Sequence, residues 1–208
     1  EETKVNAKAK LAAFNPKIGY PDEWISYEGL EISDQDLLTN ERNISKFFHA
    51  KQVEDELEPT NRERWGMTPQ RVNAYYNSSF NEIVFPAAIL QPPFFDPNAD
   101  PAVNYGAIGA VIGHEMGHGF DDQGSKSDAK GIQQNWWTDE DRAAFEAKAD
   151  MLAAQYSAYE PIEGNFVNGR NSLGENIGDV GGLSMAYHAY KLSLNGKEAP
   201  VIDGLTGD

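Results

Sequence analysis

The feature that most constrains this chain is the pattern H-E-x-x-H at residues 114–118, because its two histidines stand four residues apart. Four residues make just over one turn of an α-helix, so on a helix both imidazoles project from one face and fit one metal ion. Glu115 lies where it can reach a water molecule on that metal. The apolar run from Ile108 to Ile112 favours a buried helix over two histidines on a solvated surface. The pattern therefore predicts a helix that presents a metal site.

A third ligand is expected, because catalytic zinc usually has three protein ligands and leaves the fourth position to water. The best candidate is Glu175, in the sequence GENIGD at residues 174–179. On a helix Glu175 and Asp179 share a face, so Glu175 can bind the metal while Asp179 hydrogen-bonds the far nitrogen of a ligand histidine. Asp121, three residues after His118, is placed for the same task on the other histidine. Taken alone, Glu175 and Asp179 are more typical of an ordinary solvated acidic face.

The composition narrows the range of partners. The 208 residues contain 17 Lys and Arg against 33 Asp and Glu, a formal net charge of −16, which disfavours nucleic acid as a partner. Cysteine is absent, which excludes disulfides, cysteine nucleophiles and cysteine-type zinc fingers. The sequence predicts no membrane span, because no run approaches the roughly 20 apolar residues that a spanning helix needs.

The remaining pattern predicts an α+β, mainly helical fold within a single domain. The predicted regions are a helical lead-in over residues 1–58, a hairpin and loop over residues 60–95, and the helices of the metal site over residues 102–194.

Several element boundaries follow from capping and turn residues. Ser33 or Asp34 is expected to cap a helix that ends near Glu58, and Thr138 a helix that ends near Tyr159. A last helix is expected from about Leu173, stopped by Asn195-Gly196. We expect strands at residues 72–76 and 83–85, joined by a polar turn, chain breaks at residues 15–16 and 19–21, and a loop at residues 201–208.

Four motifs occur in a characteristic order: WGMTPQRVNAYYN at 65–77, EIVFPAAILQPPFF at 82–95, HEMGHGFDDQG at 114–124 and ENIGD at 175–179. In these motifs the chain resembles the neprilysin and endothelin-converting-enzyme family of zinc metallopeptidases, over roughly residues 60–190. The resemblance implies a truncated zincin (thermolysin-like) catalytic domain with one Zn²⁺ per chain. It implies zinc ligands His114, His118 and Glu175, the catalytic base Glu115, and the histidine-orienting carboxylates Asp121 and Asp179.

The same resemblance assigns residues to the substrate. It implies that Asn73 and Ala74 bind the peptide backbone, and that Ile89, Phe94 and Val111 line the pocket for the side chain just after the cut bond. Asn73 and Ala74 fall on the predicted strand, whose edge can pair with an extended peptide. Taken alone, the three apolar residues are more typical of an ordinary core, and only the resemblance makes them candidates for a pocket.

The family also implies parts that this chain does not match: a large N-terminal helical domain, a downstream histidine that stabilises the oxyanion, and a downstream arginine that contacts substrate. We therefore expect a partial catalytic domain that cleaves peptides poorly when isolated. His49 and His188 lie outside the motifs and are expected to be ordinary surface or packing residues. The leading hypothesis is a zinc endopeptidase acting on oligopeptides, extracytoplasmic by family analogy. The alternative is a non-catalytic zinc-binding or peptide-binding module.

Overall fold

The computed structural model describes residues 1–206. The chain forms two compact units: residues 1–20 together with the chain from residue 67 onward, and Pro21–Gly66. The predicted fold class, mainly helical with a small sheet, is confirmed. In chain order the elements are α1 (Glu2–Ala12), β1 (Asn15–Gly19), α2 (Leu37–Leu57), β2 (Tyr75–Asn77), β3 (Glu82–Pro86), α3 (Pro101–Asn104), α4 (Ala110–His118), α5 (Asp139–Ser157), α6 (Leu173–Ser193), β4 (Val201–Ile202) and β5 (Leu205–Thr206).

Strand β3 is the centre of a three-stranded sheet of order β1-β3-β2, and every one of its residues is buried. It pairs antiparallel with β2, which confirms the predicted hairpin. The first strand of that hairpin begins at Tyr75, however, so the prediction that Asn73 and Ala74 lie on it is wrong. The Asn73 N–H donates to the Arg71 carbonyl at 3.0 Å, and this local turn delays the start of the strand.

The predicted chain break at residues 15–16 is wrong, because Asn15–Gly19 forms strand β1. It pairs in parallel with β3, in a register that sets Pro16 opposite Ile83. Proline lacks the N–H that a ladder needs, but an edge strand such as β1 tolerates it. A buried ion pair between Lys17 Nζ and Glu82 Oε2, 2.7 Å apart, joins the two strands.

The unit Pro21–Gly66 contains the long helix α2. Its cap is Asp36, two residues beyond the predicted Asp34, and the Asp36 carboxylate accepts from the N–H groups of Leu38 and Thr39. Such an acceptor satisfies N–H groups that the first turn of a helix leaves unpaired. No residue of α2, the whole of which the structure describes, is buried.

The predicted cap of α5 and the predicted end of α6 are confirmed, whereas the last described residues differ from the prediction. Thr138 caps α5, where its hydroxyl accepts from the Asp141 N–H. Helix α6 ends at Ser193, just before Asn195 and Gly196, which both have positive φ. The predicted loop at residues 201–208 is wrong over 201–206, which form the β4–β5 hairpin; its last two residues lie outside the described chain. A turn with positive φ at Asp203 and Gly204 suits a tight hairpin.

Helices α4 and α6 pack with their backbones unusually close, and glycines make this possible. A Cβ on Gly113 would lie 2.7 Å from the Cα of Gly182, and one on Gly117 would lie 3.3 Å from the Cα of Gly178. A side chain at 113 would force the helices apart, because real Cβ atoms do not approach backbone within 3.0 Å, and one at 117 would require a shift of a few tenths of an ångström. The close contact brings the first turns of α6 beside the H-E-x-x-H segment. Within residues 1–206, no helix has the length and apolar character that a membrane crossing requires.

Candidate metal centre

Helix α4 carries both histidines of the pattern on one face, as the spacing predicts. The His114 and His118 rings meet edge to face, with their centroids 4.5 Å apart. A π-helical segment, Tyr105–Gly109, joins α3 to α4 without a break, so residues 101–118 form one continuous helical stretch. Single π-turns inside helices are frequent at functional sites.

Helix α6 brings the third candidate ligand to the same point. The Glu175 Oε2 atom lies 3.2 Å from His114 Nε2 and 3.6 Å from His118 Nε2. One potential ligand atom from each of the three residues lies within 4.8 Å of the others. The structure therefore brings together the three residues that the sequence singled out, although they are 61 positions apart at the extremes.

Each histidine has its other ring nitrogen held by a carboxylate. His114 Nδ1 lies 2.8 Å from Asp179 Oδ1, and His118 Nδ1 lies 2.8 Å from Asp121 Oδ2. The two carboxylates differ in setting: the Asp121 side chain is 5% exposed and the Asp179 side chain 71%. Asp121 Oδ1 also accepts from two backbone N–H groups, those of Gln123 at 2.8 Å and Gly124 at 2.7 Å.

This pairing fixes the donor set of the site. A neutral imidazole that donates Nδ1–H to a carboxylate presents the lone pair of Nε2. Two such lone pairs and a carboxylate oxygen of Glu175 then converge, an arrangement of acceptors that favours a cation between them. Two nitrogens and one oxygen are ligands that zinc accepts in catalytic sites. The residues therefore fit a zinc ion.

The charges around His118 favour a positive charge on its ring. The hydrogen bond with Asp121 raises the pKa of His118, against the opposing effect of burial. Burial alone would raise the pKa of Asp121, but hydrogen bonds from His118 and from the backbone N–H groups hold it below its usual value. Asp121 is thus an anion that stabilises either a proton or a metal ion on the ring beside it.

Glu115 is buried beside the three candidate ligands. Its Oε2 atom has no hydrogen-bond partner within residues 1–206. Burial raises the pKa of the Glu115 carboxyl, while the nearby His118 and His114 lower it. A buried carboxylate with an unpaired oxygen is costly unless something binds it. It is the arrangement expected of a group that takes up a proton from a reacting molecule.

Two glycines of α6 border the site, a role that the sequence did not predict. A Cβ on Gly178 would lie 2.8 Å from His114 Nδ1, and one on Gly174 would lie 3.0 Å from Asp121 Oδ2. A side chain at 178 would overlap the His114 ring, and one at 174 would force the Asp121 and Asp122 carboxylates to shift. The signal in the sequence was the recurrence of glycine every four residues on α6, at 174, 178 and 182.

The residues assigned to the substrate lie around one apolar cluster. Ala74 and Ile89 are buried members of it, while Phe94 and Val111 pack against it and are half-buried. Asn73 is exposed, immediately before β2. Their roles towards substrate stay predictions. His49 and His188 are exposed, in keeping with the surface role expected of them.

An open cleft of about 620 Å³ borders the candidate metal site. Its lining includes Tyr76, His118, Asp121, Arg170 and Glu175.

The fold and the site together define a metallopeptidase domain. The fold is mainly helical with a small sheet, and the site combines two histidines of one helix, a carboxylate of a second helix and a buried glutamate beside them. Comparison with known proteins identifies the particular family. The chain belongs to peptidase family M13, whose family model matches residues 73–208.

Named relatives agree with this assignment. The chain is 42% identical to the endothelin-converting enzyme homolog of Locusta migratoria over 91% of its length, and 39% identical to human neprilysin over 95%. Among solved structures, it resembles the Mycobacterium tuberculosis zinc metalloprotease Zmp1 in complex with an inhibitor, with 55% identity and a TM-score of 0.97 over 99% of the chain. The chain spans 27% of the Locusta protein, 28% of human neprilysin and 32% of the Zmp1 chain.

Proposed function

We propose that the protein containing this chain is a zinc-dependent endopeptidase that hydrolyses oligopeptides and prefers a hydrophobic residue after the cut bond. The observation that carries the proposal is the buried Glu115 carboxylate, with one unpaired oxygen, beside the converging ligand atoms of His114, His118 and Glu175. Membership of peptidase family M13 supports the reaction class. The same family analogy favours an extracytoplasmic location, which cell fractionation tests.

Zinc, when bound by His114, His118 and Glu175, would polarise the scissile carbonyl and make water nucleophilic near neutral pH. The residues of the chain supply the proton transfers. Glu115 accepts the proton of the attacking water and then delivers it to the leaving amine, and a raised pKa suits a group that must work in both directions. Asp121 and Asp179 keep the two imidazoles in the tautomer that presents Nε2.

The substrate backbone is expected to lie along β2. This strand is at the edge of the sheet, and within residues 1–206 its outer side has no partner strand. An extended peptide can add to such an edge through main-chain hydrogen bonds, with the exposed Asn73 beside it. The half-buried Phe94 and Val111 offer apolar surface to the residue after the cut bond, with Ile89 behind them.

The decisive experiment replaces Glu115 by Gln in the protein at its natural length. The amide cannot take up the proton, so peptide cleavage should fall by at least about 10²–10⁴-fold, the usual contribution of a general acid–base group. Zinc content, measured by elemental analysis after dialysis, should stay unchanged because Glu115 is not among the ligands. The matched control is Glu146→Gln, an exposed glutamate of α5, which should leave both quantities unchanged.

The outcomes separate the competing functions. Near-normal activity of Glu115→Gln with zinc bound would refute the proposed mechanism. A wild-type protein that binds zinc, yet cleaves no member of a peptide library, would support the non-catalytic binding module instead. Peptides that differ only in the residue after the cut bond, Leu against Asp, test the apolar preference. The isolated 208-residue chain is expected to bind zinc and to cleave poorly.

A further inference from the structure

Lys10 is a buried lysine that the proposed reaction does not use. It lies on α1, more than one hundred positions before the metal site, and only 1% of its surface is exposed. Its Nζ atom donates to two backbone carbonyls, those of Gly124 and Ser127, at 2.7 Å each. These two carbonyls lie at the start and just after the end of the 3₁₀ turn Gly124–Lys126. One ammonium thus ties both ends of this turn to α1.

The surroundings of Lys10 keep its side chain charged and fixed. The Nζ atom lies 5.6–5.8 Å from the ring centroids of Tyr76, Phe120 and Trp136, within reach of a cation–π attraction. Burial lowers the pKa of Lys10 to about 8, while Asp121 and Asp128 act to raise it. At neutral pH the side chain therefore remains mostly an ammonium ion, which can donate to both carbonyls.

The turn that Lys10 holds is connected directly to the metal site. The Gly124 N–H donates to Asp121 Oδ1 at 2.7 Å, and the other oxygen of that carboxylate holds His118 Nδ1. The contacts therefore run from Lys10 through Gly124 and Asp121 to a candidate zinc ligand. Every member of this path other than His118 is buried, so solvent screens it little.

We propose that Lys10 is a positioning residue of the metal site: its ammonium group anchors the Gly124–Lys126 turn to α1 and thereby fixes the Asp121 carboxylate that orients His118. The inference rests on the proposed zinc site and extends it to a residue on a distant helix. A side chain that merely filled the core at position 10 would not need a charge, because burying an ammonium costs free energy that an apolar side chain avoids.

The first test measures zinc affinity by chelator competition in the protein at its natural length. Lys10→Met keeps much of the side-chain length and removes the charge and the donors. Residues that hold a ligand directly contribute about 10–100-fold to metal affinity, and Lys10 acts one step further away, so we expect a loss of about 3–10-fold. Lys8→Met, which removes the same charge from an exposed position of the same helix, should leave the affinity unchanged.

A double-mutant cycle distinguishes positioning from a general effect on folding. If Lys10 acts through Asp121, then Lys10→Met should weaken zinc binding by less than about twofold once Asp121 is already replaced by Asn. An equal loss in the wild-type and the Asp121→Asn backgrounds would overturn the proposal. So would unchanged zinc affinity in Lys10→Met.

A measurement on the wild-type protein covers the case in which Lys10→Met does not fold. Coupling between two sites is reciprocal, so zinc should slow hydrogen exchange in α1 and the Gly124–Lys126 turn more than in α2, which belongs to the other unit. Equal slowing in α1 and α2, or none in α1, would contradict the proposal. If the wild-type protein bound no zinc, the proposed function itself would fail; zinc binding without the α1 response would remove only the role of Lys10.

Discussion

Helices α2 and α6 have the same length of 21 residues and opposite designs. Helix α2 contains no glycine, is capped by Asp36, and has no buried residue along its described length. Helix α6 contains four glycines and no side-chain cap at its start, yet six of its residues are buried. Glycine in a helix costs about 1 kcal/mol relative to alanine, so α6 is the poorer helix by local preference.

The difference indicates that the composition of α6 is set by its contact with α4 and not by helix preference. Three glycines of α6 lie against α4 or against the hydrogen-bonded groups of the candidate metal site. Gly182 faces the backbone of α4, Gly178 the His114 ring and Gly174 the Asp121 carboxylate. A side chain at 178 or 182 would press on His114 or its helix, and one at 174 would press on the Asp121 carboxylate that holds His118. The local cost of glycine is therefore offset by a backbone approach that lets Glu175 meet the two histidines.

The largest expected effect tests whether α6 supplies a ligand. Glu175→Ala would leave only two protein ligands. Zinc affinity should therefore fall by more than roughly 100-fold, the upper figure for losing a group that only hydrogen-bonds a ligand. Glu54→Ala, an exposed glutamate on α2, is the matched control and should change nothing. Elemental analysis after dialysis measures the zinc content of both variants. Full zinc occupancy in Glu175→Ala would eliminate Glu175 as a ligand and remove the functional contrast between the two helices.

The next effect concerns the carboxylates that hold the histidines. Replacement of either Asp121 or Asp179 by Ala should lower zinc affinity by about 10–100-fold. The structure adds an order: Asp121 should lie at the upper end, because it is buried and accepts three hydrogen bonds, whereas Asp179 is exposed and makes one. Chelator competition measures both losses. Unchanged affinity in both variants would mean that the two carboxylates hydrogen-bond the histidines without contributing to metal binding.

The sequence predicted those parts of the fold that depend on local signals. The helices around the metal site and the capping of α5 by Thr138 all follow from spacing and capping residues. The convergence of Glu175 with the two histidines could be anticipated from the ligand number of zinc, and the structure brings these atoms together. The binding of zinc by these three residues stays a prediction. So do the substrate roles of Asn73, Ala74, Ile89, Phe94 and Val111.

The parts that were missed depend on contacts between distant segments. Strand β1 pairs with β3 across more than sixty residues, and nothing in Asn15-Pro16 itself indicates a parallel partner. Lys10 looks like any surface lysine in a helical stretch, and only the folded chain shows that it reaches the Gly124 carbonyl. Likewise, glycine within α6 is ambiguous in the sequence, because a flexible position and a close packing contact look the same.

Gly182→Ala tests the packing contact directly. Its Cβ would lie 2.5 Å from the His114 N atom and 2.6 Å from the Ala110 O atom, both backbone atoms of α4. Because α4 must shift to accept the methyl group, we expect the free energy of unfolding to fall by about 1–3 kcal/mol. Urea denaturation of the zinc-free protein measures this loss. A stability equal to or above that of wild type would show that the backbones do not approach as described.

The smallest expected effect has the opposite sign and comes from the adjacent residue. Gly181 points away from α4, and the nearest atom to an added Cβ is the flexible Met185 Cε at 4.0 Å. Gly181→Ala should therefore recover the helix preference that glycine forfeits, a gain of up to about 1 kcal/mol in the free energy of unfolding, with zinc affinity unchanged. The same urea experiment measures it. If Gly181→Ala lost as much stability as Gly182→Ala, the glycines of α6 would reflect a general intolerance of side chains, and the contrast with α2 could not be attributed to the contact with α4.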